Sequence, residues 1–356
     1  MEAVIRWVLR GILAFGRFFQ RGGPHYGSVM YGFVGSRALM SGLALGFFDA
    51  LEEGPKTQAE LVEELGLDPD GVRIILDACV VHNVLRHRRG TYLLHPSFRR
   101  WLAKDGVRDD LLHTRLAYDD TSALEDCARG DWPEDSAVRV YWGGNYQDLT
   151  EEQSHLYSKL MKASVTRSAG FVAKAFPIND VDSVLDGGGG SATLGITLAK
   201  AHKGLRVGVL DLAPQEEAAN ARIAEEGLTD RVEFIPGDFI HRALPGDWSA
   251  MLVHRVLWDW KDEPALVLLG RIHEALPEGG RVLVAEGMWS GDRDVDVLFN
   301  PFHLYMCLGG FRLRGRERVM EMVREAGFTG VHARVVQPVF FPMVVGIKGP
   351  KPPAAP

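Results

Sequence analysis

Residues 184–191 read Val-Leu-Asp-Gly-Gly-Gly-Gly-Ser, with an apolar stretch before them and a helical pattern after them. Four consecutive glycines suit neither a strand nor a helix interior, because glycine loses the most backbone freedom on ordering. Between a strand and a helix they permit a tight turn and a close approach of backbone to ligand. The spacing predicts a strand at 181–186, a turn at 187–191 and a helix at 193–203. The run is not a GxGxxG motif: counted from Gly188, Gly190 fits the second glycine, but Thr193 stands at the third. No GxxxxGK[ST] is present, which excludes a nucleotide P-loop. Asp211 ends the next apolar run about 20 residues on, the distance of an acid that accepts hydrogen bonds from ribose hydroxyls. Gly237-Asp238-Phe239 ends the third run, where an acid can meet an adenine amine. Nothing in the three turns is set up for a pyrophosphate, so the pattern suits S-adenosylmethionine better than a dinucleotide.

The alternation continues beyond the turn. Strands are predicted at 206–211, 231–236, 249–254 and 280–286, with helices at 214–226, 263–276 and 317–327. Residues 330–337 and 340–347 read as a closing hairpin. This order implies an α/β domain with a Rossmann-like, mostly parallel sheet covered on both faces.

The N-terminal part differs. Residues 28–50 read as one buried helix rich in small residues. Thr57 is a helix N-cap followed by Ala59, Leu61, Val62 and Leu65 at helical spacing. Asp68-Pro69-Asp70 opens a second helix with Val72, Ile75, Leu76, Ala78 and Cys79. Val84-Leu85, Arg89-Gly90 and Tyr92-Leu93-Leu94 read as a short hairpin. Helix, turn, helix and hairpin make a mainly α-helical winged-helix unit. The predicted organisation is an amphipathic N-terminal helix at 1–23, a winged-helix domain at 24–105, a helical connector at 106–178, a cofactor domain at 179–348 and a disordered tail at 349–356. Within the connector, Trp142 to Tyr146 is a loop. Leu149 to Val172 is a long amphipathic helix bearing Leu156, Leu160, Met161 and Phe171.

Length and charge bound the function. The chain has 356 residues, 46% hydrophobic and 24% charged, as in a two-domain globular protein. Three cysteines (Cys79, Cys127 and Cys307) form no disulfide framework or zinc motif, which fits a reducing cytoplasm. The net charge of −7 disfavours nucleic acid. The second helix of the winged unit offers only Arg73 beside Asp70 and Asp77, poor equipment for a major groove. Arg86, Arg88 and Arg89 on the wing read as solvated or as a subunit contact. No metal site is expected, since neither HxxxH nor a carboxylate cluster marks the cofactor region.

Residues 1–23 contain no uninterrupted apolar span and no small-residue cleavage site, so neither a membrane span nor a signal peptide is expected. On a helical wheel Arg6, Arg10 and Arg17 share one face, with Arg21 close by. Val4, Ile5, Val8, Leu9, Ile12, Phe15 and Phe19 share the other. Such a helix either docks on another subunit or lies peripherally in a membrane interface through residues 1–21.

The motifs VLDGGGGSATLGITLAKAH, VLDLAP, RVEFIPGDF, HRVLWDWKDEPALVLLGRIHEALPEGGRVLVAEGM and VREAGF occur in one order along the chain. In these the chain resembles the class I S-adenosylmethionine-dependent small-molecule methyltransferases typified by plant and bacterial O-methyltransferases, over residues 28–348. The N-terminal domain and PFHLYMCLGGFRLRG are most similar to two subgroups, the carotenoid hydroxyl O-methyltransferases and the bacteriochlorophyllide C-methyltransferases. The resemblance implies a homodimer and a lipophilic or aromatic substrate, with 24–105 a winged-helix dimerisation domain and 106–178 a substrate cap. It implies that Asp186, Gly187 and Gly189 meet the methionine end of the cofactor and that Asp211 meets the ribose. Asp238 and Phe239 would flank the adenine, His254 and Arg255 would close the pocket, and Trp260 would lie nearby. Gly188, Leu212 and Gly237 complete the expected cofactor site.

One family feature is missing. Members usually carry Leu-His-Asp-Trp, whose histidine takes the substrate proton, whereas this chain reads Leu257-Trp258-Asp259-Trp260. Indole is a hydrogen-bond donor and no base. The glutamate of the family's Arg-Glu-Arg-Thr stretch is replaced by Leu313, and a second family glutamate is matched by Glu286. His254, His303 and Tyr305 are the candidate substitutes for the base, and Trp258 a candidate aromatic wall. Transfer to oxygen or to carbon is open at this stage. The alternative is a methyltransferase-like enzyme that keeps the cofactor but catalyses a rearrangement, hydroxylation or decarboxylation.

Overall fold

The computed structural model describes residues 30–104, 121–131, 165–166, 168–177, 181–239, 244–289, 313–337 and 341–350, with a few isolated positions between them. The chain divides into two compact units at Ser122/Ala123.

In the first unit, α1 (Gly32–Ala44) and α2 (Phe47–Glu52) replace the single helix predicted over 28–50. Gly46 causes the break: it adopts φ 81°, a left-handed conformation that costs glycine little. The turn buries Phe47 and Phe48 completely. The expectation of a buried helix holds for Ala38, Met40 and Leu43 but not for Met30, Tyr31 and Phe33, which are 60%, 60% and 56% exposed. α3 (Gln58–Leu65) starts at Thr57 with a full capping box: the Glu60 N–H donates to Thr57 Oγ1 at 3.2 Å and the Thr57 N–H to Glu60 Oε2 at 2.6 Å. α4 (Pro69–Val81) is capped by Asp68, whose Oδ1 accepts from Asp70 N–H and Gly71 N–H. β1 (Leu85–Arg88) and β2 (Thr91–Leu94) pair antiparallel across Arg89-Gly90, both with positive φ, as a two-residue hairpin turn requires. α5 (Pro96–Leu102) packs Phe98 and Leu102 into the same core as Leu61, Leu76 and Leu85.

The second unit is built on a sheet of β3 (Ser183–Gly187), β4 (Arg206–Asp211), β5 (Val232–Pro236), β6 (Ala250–His254), β7 (Arg281–Ala285), β8 (Phe328–Gln337) and β9 (Phe341–Lys348). Their order is β5-β4-β3-β6-β7-β9-β8, with β9 antiparallel to both β7 and β8 and the other pairs parallel. β3 and β6 are buried along their whole length, as strands covered on both faces must be. One face packs with α6 (Thr193–Ala201) and α7 (Glu216–Glu225), through Leu194, Leu198, Ala219 and Ile223. The other packs with α8 (Asp262–Ala275) and α9 (Arg316–Glu325), through Leu268, Leu269, Val319 and Val323. The predicted strands and helices of this unit stand within a few residues of those observed.

Residues 168–175 are helical and bury Ala169, Val172 and Ala173 against the first face. Phe171, expected on the apolar face, is instead 39% exposed, because the buried stripe runs through its neighbours. Residues 165 and 166 are helical too; residues 149–164 of that expected helix, the 142–146 loop, the 1–23 helix and the 351–356 part of the tail lie outside the described residues.

Candidate active site

The site forms where the sheet changes direction. From β3 the order runs to β4 and β5 on one side and to β6 and β7 on the other. The loops leaving β3 and β6 therefore diverge at the C-terminal edge, the place where open α/β sheets hold ligands.

The glycine turn makes one wall. Gly188 adopts φ +77° and donates its N–H to the Leu210 carbonyl at 2.8 Å. A Cβ on Gly188 would stand 2.8 Å from Val256 Cγ2 and 3.2 Å from Phe239 Cζ. A Cβ on Gly189 would stand 2.7 Å from Val209 Cγ1 and 2.8 Å from Asp186 Oδ2. Only glycine fits at these two positions. Gly187 is different, since a Cβ there would meet Val253 Cγ1 at an ordinary 3.6 Å.

Asp211 ties the turn to its neighbours. Its Oδ2 accepts the Gly190 N–H and its Oδ1 the Leu212 N–H, both at 2.7 Å. Its backbone carbonyl accepts the Gly237 N–H at 2.9 Å. Burial raises the Asp211 pKa, and the amides of Leu212 and Gly190 pull it back. Asp238 follows, its carbonyl accepting the Arg242 N–H at 3.0 Å, and Phe239 is partly buried against the second apolar face.

Asp186 stands beneath this turn, 1% exposed, and its Oδ2 has no hydrogen-bond partner among the described residues. An orphaned buried polar atom costs about 1–3 kcal/mol. Burial, with Asp211 nearby, pushes the carboxyl pKa up to about 7.

The loop after β6 makes the other wall. Arg255 adopts φ +60°, a strained conformation for a non-glycine residue, held by its N–H on the Ala285 carbonyl at 3.0 Å. Trp258 is 6% exposed, with the Arg255 guanidinium 5.4 Å from its ring centroid. Its N–H donates to Glu286 Oε2 at 3.2 Å. Glu286 is 1% exposed, and burial pushes its carboxyl up to about 7 against the opposing pull of Arg314 and the amides of Trp258, Leu257 and Val256. Asp259 Oδ1 is buried with no partner among the described residues, and burial with Glu286 nearby raises that carboxyl well above its ordinary range against the opposing pull of Arg255 and a hydrogen bond from the Trp258 side chain.

Arg314, 5% exposed, fastens this loop. It donates to Asp262 Oδ1 at 2.8 Å, to the Leu257 carbonyl at 2.9 Å and to the Trp260 carbonyl at 2.6 Å. Arg318 reaches the other Asp262 oxygen at 3.1 Å. Trp260 is partly buried.

His254 ends β6, 6% exposed, with Nε2 3.0 Å from Ser168 Oγ. Ser168 Oγ donates to the Val165 carbonyl at 3.1 Å, so the imidazole is the donor in the Ser168–His254 bond. Burial, with Arg255 nearby, pulls the imidazole down to about 3. A histidine so placed is neutral at pH 7 and a poor proton acceptor. His303 and Tyr305 lie outside the described residues.

The sequence reading did not find Arg314, Ser168 or Asp259. Arg314 sits in the quoted FRLRG stretch, one residue past the Leu313 that drew attention there. Asp259 sits in the quoted Leu257-Trp258-Asp259-Trp260 stretch, beside the Trp258 that drew attention there, and Ser168 carries no sequence signal beyond residue type.

Two family models match the chain: the O-methyltransferase domain over residues 129–329 and the O-methyltransferase dimerisation domain over residues 28–103. Demethylspheroidene O-methyltransferase of Rhodobacter capsulatus is 26% identical over 340 residues, covering 94% of this chain and 84% of the relative. Acetylserotonin O-methyltransferase of Mus musculus is 31% identical over 339 residues, covering 85% of this chain and 83% of the relative. Among solved structures, human N-acetylserotonin methyltransferase in complex with SAM aligns with a TM-score of 0.78 at 22% identity, over 93% of this chain and 99% of that one. Residues 28–103 of the first unit match the dimerisation domain that the resemblance implies, the second unit carries the predicted α/β sheet, and the chain belongs to the O-methyltransferase family.

Proposed function

We propose that this chain transfers a methyl group from S-adenosylmethionine to an oxygen of a lipophilic or aromatic small molecule, with Trp258 standing at the position of the usual histidine base. The glycine turn carries the cofactor reading: Gly188 and Gly189 are packed too closely for any Cβ, which leaves bare backbone beside a buried Asp186 oxygen that has no donor among the described residues. The residues fit the cofactor. Its ammonium supplies the donor that Asp186 lacks, and the Asp211 oxygens, each accepting one amide, retain capacity for ribose hydroxyls. Gly187, Gly189 and Asp186 would hold the methionine end. Asp238 and Phe239 would flank the adenine, with Leu212 and Gly237 beside them and Arg255 closing the edge. When bound, S-adenosylmethionine supplies an electrophilic methyl group on a positively charged sulfur.

The acceptor side follows from what Trp258 can do. An indole orients a flat or apolar acceptor and removes no proton. A general base is worth roughly 10²–10⁴-fold, and a well-aligned displacement gains more than that from proximity alone. With Trp258 in the base's place we read the acceptor hydroxyl as one acidic enough to ionise without help, a phenol or an enol, and His254, His303 and Tyr305 stay the candidate bases for a less acidic one. Glu286 and Arg314 hold the Trp258 loop in place, and the buried rim keeps water out. The relatives named for demethylspheroidene and for acetylserotonin support a small organic acceptor. We read the chain as a homodimer, since residues 28–103 match the dimerisation domain and the single chain leaves Met30, Tyr31 and Phe33 uncovered. A cytoplasmic location, with residues 1–21 against a membrane or the partner subunit, completes the proposal. Co-sedimentation with anionic liposomes that is lost on deleting residues 1–23 identifies the membrane contact, and unchanged pelleting excludes it.

The test is incubation with S-adenosylmethionine and a panel of apolar phenols and alcohols. The expected result is methylated phenol with stoichiometric S-adenosylhomocysteine and little methylation of alcohols. Consumption of an acceptor with no methylated product overturns the reading in favour of a non-methylating enzyme. In Trp258→His, affinity for S-adenosylhomocysteine stays within about twofold and alcohols gain turnover. Lost cofactor affinity would place Trp258 in the cofactor site instead.

A further inference from the structure

Two arginines grip the two ends of α6, the helix that the glycine turn opens. Arg231 Nη1 donates to the carbonyls of Ala199, His202 and Lys203 at 2.9, 3.3 and 3.1 Å, all at the C-terminal end. A cation there adds a donor to carbonyls at the helix end and suits the helix dipole. Arg222, on α7, does the opposite. Its Nη1 donates to the Ser191 carbonyl at 2.6 Å, to Ser191 Oγ at 3.0 Å and to Thr193 Oγ1 at 2.7 Å, at the N-terminal end. A positive charge beside a helix N-terminus opposes the dipole. The arrangement therefore costs helix stability, and what it provides is geometry. α6 has no side-chain cap: its N-cap is Ala192, in a left-handed conformation at φ 62° with no bond from its side chain. Locally the shape rests on the Ala192 N–H, which donates to the Gly189 carbonyl at 3.1 Å, while the side chains of Ser191 and Thr193 are held by Arg222, and these residues continue directly from Gly189 and Gly190.

We propose that Arg222 is a positioning residue for cofactor binding, one that fixes the exit of the glycine turn by gathering three oxygens of Ser191 and Thr193 onto one guanidinium nitrogen. It acts through the turn and touches no reacting atom. The inference rests on the reading of that turn as the cofactor cradle. A second consequence is electrostatic. The guanidinium and the α6 N-terminus together raise the local positive potential, which favours an anionic group such as the cofactor carboxylate.

The experiment is calorimetric titration of the full chain with S-adenosylhomocysteine, for wild type, Arg222→Met, Arg222→Lys and Arg231→Met. Hydrogen bonds to a charged group set the scale, so Arg222→Met weakens binding about tenfold to a hundredfold. Arg222→Lys keeps the charge and recovers part of that loss. Arg231→Met, which releases the other end of the same helix, stays within about twofold of wild type even where its melting temperature falls, because no carbonyl it holds belongs to the turn. If Arg222→Met does not fold, Ser191→Ala/Thr193→Val removes two of the three acceptors, and a loss of about threefold to tenfold is expected. Unchanged affinity in Arg222→Met, or equal losses in Arg222→Met and Arg231→Met, overturns the proposal. Failure of wild type to bind overturns the cofactor reading itself, and this inference with it.

Discussion

Replacing Asp186 with asparagine turns the orphaned carboxylate into a measurable quantity. In the unfolded chain this group titrates near 3.8, and in the folded cofactor-free protein burial moves it to about 7. Below both values each state holds the proton, and Asp186 leaves stability independent of pH. Between them the unfolded chain releases a proton that the folded chain keeps, so stability falls as pH rises. Above about 7 the penalty is constant. One pKa unit is worth about 1.4 kcal/mol, so the two units between pH 5 and 7 put the differential loss at about 3 kcal/mol at most. At about 2–4 °C per kcal/mol for a domain of this size, the shift is several degrees. Asp186→Asn does not titrate. Thermal denaturation of both cofactor-free proteins from pH 5 to pH 8.5, at one fixed protein concentration, is the assay. Glu286 also titrates near 7 but is present in both chains, so the difference isolates Asp186. The variant gains on wild type as pH rises, and the gap stops widening above about pH 7. A gap independent of pH, or a variant progressively less stable at high pH, would refute the argument that this carboxylate is buried without a donor.

Two further expectations follow from packing. Gly189→Ala presses a methyl group against Val209 and Asp186, where overpacking costs about 1–3 kcal/mol, whereas Gly187→Ala makes only an ordinary contact at 3.6 Å. Calorimetry with S-adenosylhomocysteine should show a loss of about tenfold or more for the first and a smaller loss for the second. Arg314→Met strands the Trp260 carbonyl at about 1–3 kcal/mol, leaves the Leu257 carbonyl with the Trp260 N–H alone and leaves Asp262 to Arg318. It should lower the melting temperature by several degrees and speed tryptic cleavage at Arg255 and Lys261, and unchanged proteolysis would show that Arg314 does not fasten the loop.

The parts legible in the sequence are those where one residue type has one physical use. The Gly188–Gly190 run, the Thr57 cap and the Arg89-Gly90 turn each demand a particular backbone shape, and each was placed correctly from spacing alone. The strands were legible because β3 and β6 are apolar from end to end. The break at Gly46 was missed because an apolar run on either side of one glycine reads as continuous helix. Phe171 was misplaced because the buried stripe depends on which neighbouring helix faces it, and periodicity over a long apolar segment does not say. Arg222 and Arg314 were invisible for another reason. Each joins positions far apart in the chain, 29 and 31 residues for Arg222 and 52, 54 and 57 for Arg314, and an arginine in a helix or loop looks solvated until its acceptors are known. The placement of His254 likewise depended on Ser168, 86 residues away.

The central claim is that the turn after β3, together with Asp211, holds S-adenosylmethionine. Calorimetric titration of the purified chain with S-adenosylmethionine and S-adenosylhomocysteine, beside Asp211→Ala, tests it most directly. The account predicts micromolar binding of both ligands that Asp211→Ala abolishes, since that change removes the ribose partner and releases the Gly190 and Leu212 amides together. A folded wild-type chain that binds neither ligand, or an Asp211→Ala variant that binds them as well as wild type, would contradict it.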